Sequence, residues 1–221
     1  MKLKETVNKL VDAKHFPLWG ITASIIGIVF ILGSMIPYVG TYGEPFSIFN
    51  HFVSELGELG VSEIAILFNS GMILAGITYI PFMIGFGIYL ENVVGKIAGA
   101  VGVFSSVSII LVGFIPMNYT MEHYTVAMSF FFSGIIMVVL WAIAILIQKT
   151  GKIPKYMSVG GAFNFIIFAL FLFGDWGSFP DTSVRPDFHM ITTLEWGIYF
   201  AIIGYLLLIS LVTWNRRNTD K

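Results

Sequence analysis

Long apolar runs alternate along the chain with short polar interruptions, and the runs set the architecture. A hydrocarbon core about 30 Å thick takes roughly 20 apolar residues at about 1.5 Å of rise each. Six stretches meet that requirement, at residues 17–36, 63–90, 94–116, 122–147, 155–175 and 189–214. The pattern predicts an all-α fold, a polytopic six-transmembrane-helix bundle forming a single membrane domain over residues 1–221. The first stretch is expected to be a retained span and not a signal peptide. It exceeds the roughly 7–15 apolar residues of a signal core and closes on Ile36-Pro37 without a small-residue cleavage site.

The polar interruptions are short except at residues 38–62 and 175–188. Inside the first of these, Phe49, Phe52, Leu56 and Leu59 recur at helical spacing, while His51, Glu55 and Glu58 form a second stripe at i, i+4 and i+7. That arrangement predicts a short amphipathic helix in the first outer loop, lying at the outer membrane surface. In the third stretch Gly95, Gly99, Gly102, Ser106 and Gly113 line up as small residues. Such a stripe lets helix backbones approach closely in lipid, and it is read as internal packing ahead of a dimer interface.

Composition sharpens the picture. The chain is 57% hydrophobic and 11% charged, against roughly 45–50% and 25% in soluble domains, which excludes a soluble fold. A net charge of −1 gives no ground for a nucleic-acid partner and leaves membrane lipids as the expected one. The absence of Cys excludes disulfides, thiolate metal ligands and a Cys nucleophile. Oligomeric state is not legible.

Cations set the orientation. Lys2, Lys4, Lys9 and Lys14 precede the first stretch, Lys96 opens the third, Lys149, Lys152 and Lys155 fill the fourth connection, and Arg216, Arg217 and Lys221 follow the sixth. Of the 12 Lys and Arg only Arg185 falls on the opposite side. The positive-inside rule makes the basic side cytoplasmic, so both termini are expected in the cytoplasm of a multi-pass plasma-membrane protein. Basic residues at both ends also require an even number of spans.

The other side gathers chemistry. Nine acids (Glu44, Glu55, Glu58, Glu63, Glu122, Asp175, Asp181, Asp187, Glu195) lie on or near it, with His51, His123 and His189. Even-numbered spans begin there and odd-numbered ones end there, so distant residues converge at one depth. The candidate catalytic set is His51, Ser54, Glu55, His123, Asp175, His189 and Glu195, with Asn69, Asn118 and Glu122 nearby. Asn69 and Glu195 should lie a turn or more below the interface, where polar groups are costly unless they face the bundle interior or a wet cavity. Asp181, Asp187, Glu44 and Glu58 are expected simply to sit at the wet boundary. His51, His123 and His189 are the candidate metal ligands, with Zn²⁺ as the candidate cofactor, since catalytic zinc uses three protein ligands and an open position. No His-x-x-x-His pair supports this on one helix. A Ser54 nucleophile with His123 or His189 as base fits equally, because triads are defined by geometry and not by order in the chain.

On His51-Phe52-Val53-Ser54-Glu55-Leu56-Gly57, Asn69, Pro116 and His123, the chain resembles the prokaryotic membrane family called domain of unknown function 998. More distantly it resembles the Frag, DRAM and Sfk-type six-span proteins of eukaryotes. The resemblance implies six spans, an outward-facing Ser-Glu-Leu-Gly loop and an association with membrane lipid handling, and it supplies no catalytic mechanism. The chain is also similar to ceramidase-like membrane hydrolases, but lacks their seventh span and the paired His of their last helix. The expected function is an outward-facing polar pocket that binds, and in an enzymatic version hydrolyses or transfers, a lipid head group. In that version Glu195 orients a His or assists in proton transfer. The alternative is a non-catalytic scaffold or a small transporter.

Overall fold

The computed structural model describes residues 10–12, 14–176 and 185–219. Lys2, Lys4, Lys9, Asp181, Lys221 and the side chain of Arg217 lie outside the described residues. Among the described residues six α-helices follow in chain order: α1 (Phe16–Met35), α2 (Ala65–Tyr89), α3 (Val93–Phe114), α4 (Thr120–Ile147), α5 (Met157–Phe173) and α6 (Met190–Thr219). Five are long and apolar enough to cross a membrane. The exception is α5, whose 17 residues span about 26 Å at 1.5 Å each.

Local chemistry sets the boundaries. Pro17 near the start of α1 needs no amide hydrogen there, and the Asn92 side chain caps α3 by accepting the Gly95 N–H at 2.8 Å. Helix α2 runs through Pro81 without interruption and carries Gly85 and Gly87 in its last turns. Those glycines are contact points. A Cβ on Gly85 would sit 2.3 Å from Phe16, and one on Gly87 would sit 2.8 Å from the Gly95 carbonyl.

Each helix packs on the next, and α1 packs on α6, which closes the six into a ring. The small-residue stripe of α3 is the α2–α3 seam: a Cβ on Gly99 would lie 2.8 Å from the Met83 carbonyl, and one on Gly113 would lie 2.6 Å from that of Asn69. Backbones this close gain the van der Waals contact that drives association in lipid.

Two ends follow. The connections α2–α3 and α4–α5 meet where Lys152 pairs with Glu91 at 2.5 Å and Arg216 donates to the Gly151 carbonyl. The other three connections meet at the opposite end, where Asn118 bonds both backbone groups of Leu59 and Asn50 donates to the Pro186 carbonyl. The basic half of the ring is filled. Phe82 and Phe86 stack at 5.7 Å, Trp141 meets both edge-on, and Phe16 closes the layer; all four are fully buried.

Residues 53–57 differ from expectation. Instead of an amphipathic helix at the membrane surface, Val53–Gly57 is a five-residue 3-10 turn lodged in the ring. Phe52, Val53, Glu55 and Leu56 are buried in it while Phe49 and Leu59 stay exposed. The periodic stripe is real, but the Asn69 side chain holds the Gly57 carbonyl at 3.0 Å and leaves no room for a Cβ on Gly57. The segment is therefore drawn inward before a surface helix can form.

A hollow half and a buried ion cluster

Above the aromatic layer the ring is hollow. A cavity of about 100 Å³ is walled by α1, α2, α3, α4 and α6 and roofed by the 3-10 turn. Its surface is apolar except for Ser54, Tyr79, His123, Glu195 and Tyr199. Three of the seven candidate residues, Ser54 from the first loop, His123 from α4 and Glu195 from α6, therefore line one space, whereas His51 and His189 do not.

His123 opens α4 and is 6% exposed. Its Nδ1 lies 2.6 Å from the Ile115 carbonyl, an acceptor only, so Nδ1 carries the proton and the neutral ring presents a bare Nε2. That Nε2 is buried with no hydrogen-bond partner among the described residues. Glu195 accepts the Val53 N–H at 2.8 Å with Oε2, which ties α6 to the roof. Ser54 directs its hydroxyl at Met117 Sδ, 3.9 Å away.

Outside the cavity roof stands a second cluster. Arg185 bridges Glu44, at 3.0 Å through Nε, and Glu55, at 2.5 Å through Nη2, and also donates to the Asn50 carbonyl. Glu55 is 1% exposed and additionally caps Phe52 N–H at 2.8 Å. Burial works to raise the Glu44 carboxyl, but backbone N–H groups and Arg185 hold it below its ordinary pKa. His51, also 1% exposed, sits edge-on to Tyr38 and against Phe46. Its Nδ1 meets Asn50 Oδ1 at 2.6 Å, and its Nε2 faces Glu44 at 3.8 Å without a hydrogen bond. Burial, with Arg185 adding to it, pushes the imidazole below its ordinary value against the opposite pull of Glu55 and Glu44. Trp196 donates to the His51 carbonyl at 3.0 Å, which pins this loop to α6.

The remaining candidates stand apart. His189 docks α6 on the first loop through its backbone N–H to the Phe49 carbonyl at 2.6 Å, and its Nδ1 is buried without a partner. Asp175 is exposed just beyond α5. Among the described residues no three His, Asp or Glu side chains form a group that could hold a metal ion, so His51, His123 and His189 are not assembled as one metal centre. Each imidazole belongs to a different packing unit: His51 to the loop aromatics, His123 to the cavity, His189 to the start of α6. Glu44, expected at the wet boundary, is partly exposed and pairs there with Arg185. The Arg185 clamp was missed by sequence reasoning, although a lone cation on the acid-rich side was its visible signal.

Residues 24–216 match the family described as Protein of unknown function (DUF998). No curated protein and no solved structure matches the chain.

Proposed function

The chain belongs to the DUF998 family of proteins of unknown function, so its role has to be argued from its site, and we propose that it is a six-span lipid-binding membrane protein. The cavity takes the polar head and first carbons of a membrane amphiphile. In this reading the basic end faces the cytoplasm, both termini lie there, and α5 spans a locally thinned bilayer.

One observation carries the proposal: His123, more than nine-tenths buried and with Nε2 unpartnered among the described residues, lines a mostly apolar space that it shares with Ser54, Tyr79, Glu195 and Tyr199. Leaving such a group without a bond costs about 1–3 kcal/mol, a cost that a bound head group removes. Binding is favoured over hydrolysis because a serine nucleophile needs its base within hydrogen-bond reach, whereas the Ser54 hydroxyl is on Met117 and not on an imidazole. It is favoured over transport because Phe16, Phe82, Phe86 and Trp141 close the ring below the cavity.

The test is lipid analysis of protein purified in mild detergent. A discrete bound amphiphile is expected in the natural protein and should be lost in His123→Ala at unchanged thermal stability. Equal lipid content in both proteins would remove the site. Orientation is checked with single Cys residues at Thr41, Tyr119 and Lys152 in this Cys-free chain. The first two should react with an impermeant thiol reagent from outside the cell, and labelling at 152 would overturn the topology.

A further inference from the structure

The hydrogen-bonding capacity left open in the cavity is one-sided. Tyr199 donates its hydroxyl to the Gly27 carbonyl at 3.2 Å. Ser24 donates to the Gly20 carbonyl at 2.8 Å, so the 3.0 Å contact between Ser24 and Tyr79 is a donation from Tyr79. Ser54 is directed at Met117, and the only ring N–H of neutral His123 goes to Ile115. Apart from the Glu195 carboxyl, each N–H and O–H among the described lining residues is directed at a protein acceptor. What stays open is His123 Nε2, a bare acceptor, and the Glu195 oxygen not bonded to Val53. Among the described residues no Lys or Arg lines the space.

We infer that the ligand's head group is a hydrogen-bond donor without negative charge, a primary amine or a hydroxyl on an alkyl chain, and that phosphate and carboxylate heads are excluded. This rests on the lipid-binding reading above and narrows it. An anion in the cavity would meet the His123 lone pair and an acidic side chain with no cation among the described lining residues, in surroundings where an unpaired charge is costly. A donor head satisfies His123 Nε2, and an amine that takes the Glu195 proton forms a charge-assisted ammonium–carboxylate bond that an alcohol does not. A volume of about 100 Å³ suits the head and its first few carbons, since an engineered cavity of about 150 Å³ holds a benzene.

The experiment compares decylamine, decanol, decanoate and decyl phosphate as ligands of the full chain in one detergent, read by calorimetry and by thermal shift. Decylamine is expected to bind best and decanol about tenfold more weakly, the scale of one charge-assisted bond. Decanoate and decyl phosphate are expected to show no saturable binding. Glu195→Gln should remove the preference for amine over alcohol while decanol still binds. His123→Ala should weaken both, and Asp175→Asn, outside the cavity, should change neither. Unfolding curves of each variant separate lost binding from lost fold. Should the acid or the phosphate bind as well as the amine, the donor rule is overturned while the lipid site stands. Should no member of the series bind, the site and the rule fall together.

Discussion

The two halves of the ring differ in how their buried amides and imidazoles are satisfied. In the basic half, Gln148 donates to the Ile145 and Ile153 carbonyls and accepts the Ile153 N–H, while Asn92 caps α3 and donates to the Ala144 carbonyl. These amides complete the backbone where helices end, and the aromatic layer leaves no space beside them. In the loop-rich half, His51, His123 and His189 each leave a buried ring nitrogen without a partner among the described residues, and a cavity lies beneath the roof. Groups that only hold helices together can be satisfied internally, as the amides are. Of the three imidazoles only His123 lines the cavity, which makes it the group to test for a ligand.

Substitutions can break this contrast in order of effect. Arg185→Ala should be the most damaging, because it leaves the buried Glu55, and the partly exposed Glu44, without their cation; a loss of about 3–5 kcal/mol is expected in denaturant unfolding. If the roof cluster is merely surface decoration, the midpoint will not move. Gln148→Ala should cost about 1–3 kcal/mol through the orphaned groups of Ile145 and Ile153, with ligand binding untouched. A binding defect there would erase the division between the halves.

A smaller effect is a slope with pH. The folded His51 imidazole is held below its ordinary value of 6.5, so the unfolded chain takes up more protons as the medium acidifies. Stability from this group is complete above about 6.5 and is lost as pH falls through the depressed folded value. The Glu44 carboxyl, also depressed, acts in the same direction but in a lower window, below its ordinary 4.5. His51→Gln should flatten the thermal unfolding profile just below 6.5 and leave the more acidic limb in place. An unchanged slope would assign the first window elsewhere. Smallest of all, Asp175→Asn should stay within about 0.5 kcal/mol of the natural protein, as exposed positions do.

The helices were legible because each depends only on local hydrophobicity. The expected stretch 122–147 became Thr120–Ile147 and 189–214 became Met190–Thr219. The convergence of Ser54, His123 and Glu195 was legible too, since alternating spans fix depth. What could not be read was pairing across the loops. Arg185 stood out as a cation on the wrong side, yet nothing in its neighbours names Glu44 and Glu55, which lie more than a hundred residues away. The Phe49, Phe52, Leu56 stripe misled because its period fits a helix, whereas Asn69 captures the Gly57 carbonyl from another element. The three His looked like a metal set only while their ring directions were unknown.

Closure of the ring by α1 against α6 also dictates when the site comes into being. As the chain is made from its N-terminus, five helices can associate in order while the wall bearing Glu195 and Trp196 is still missing. Until α6 inserts, Val53 lacks its acceptor, the His51 carbonyl lacks its indole, and the chamber stays open along one side. Enclosure of the cavity is therefore coupled to completion of the chain: without α6 the wall beside His123 is missing.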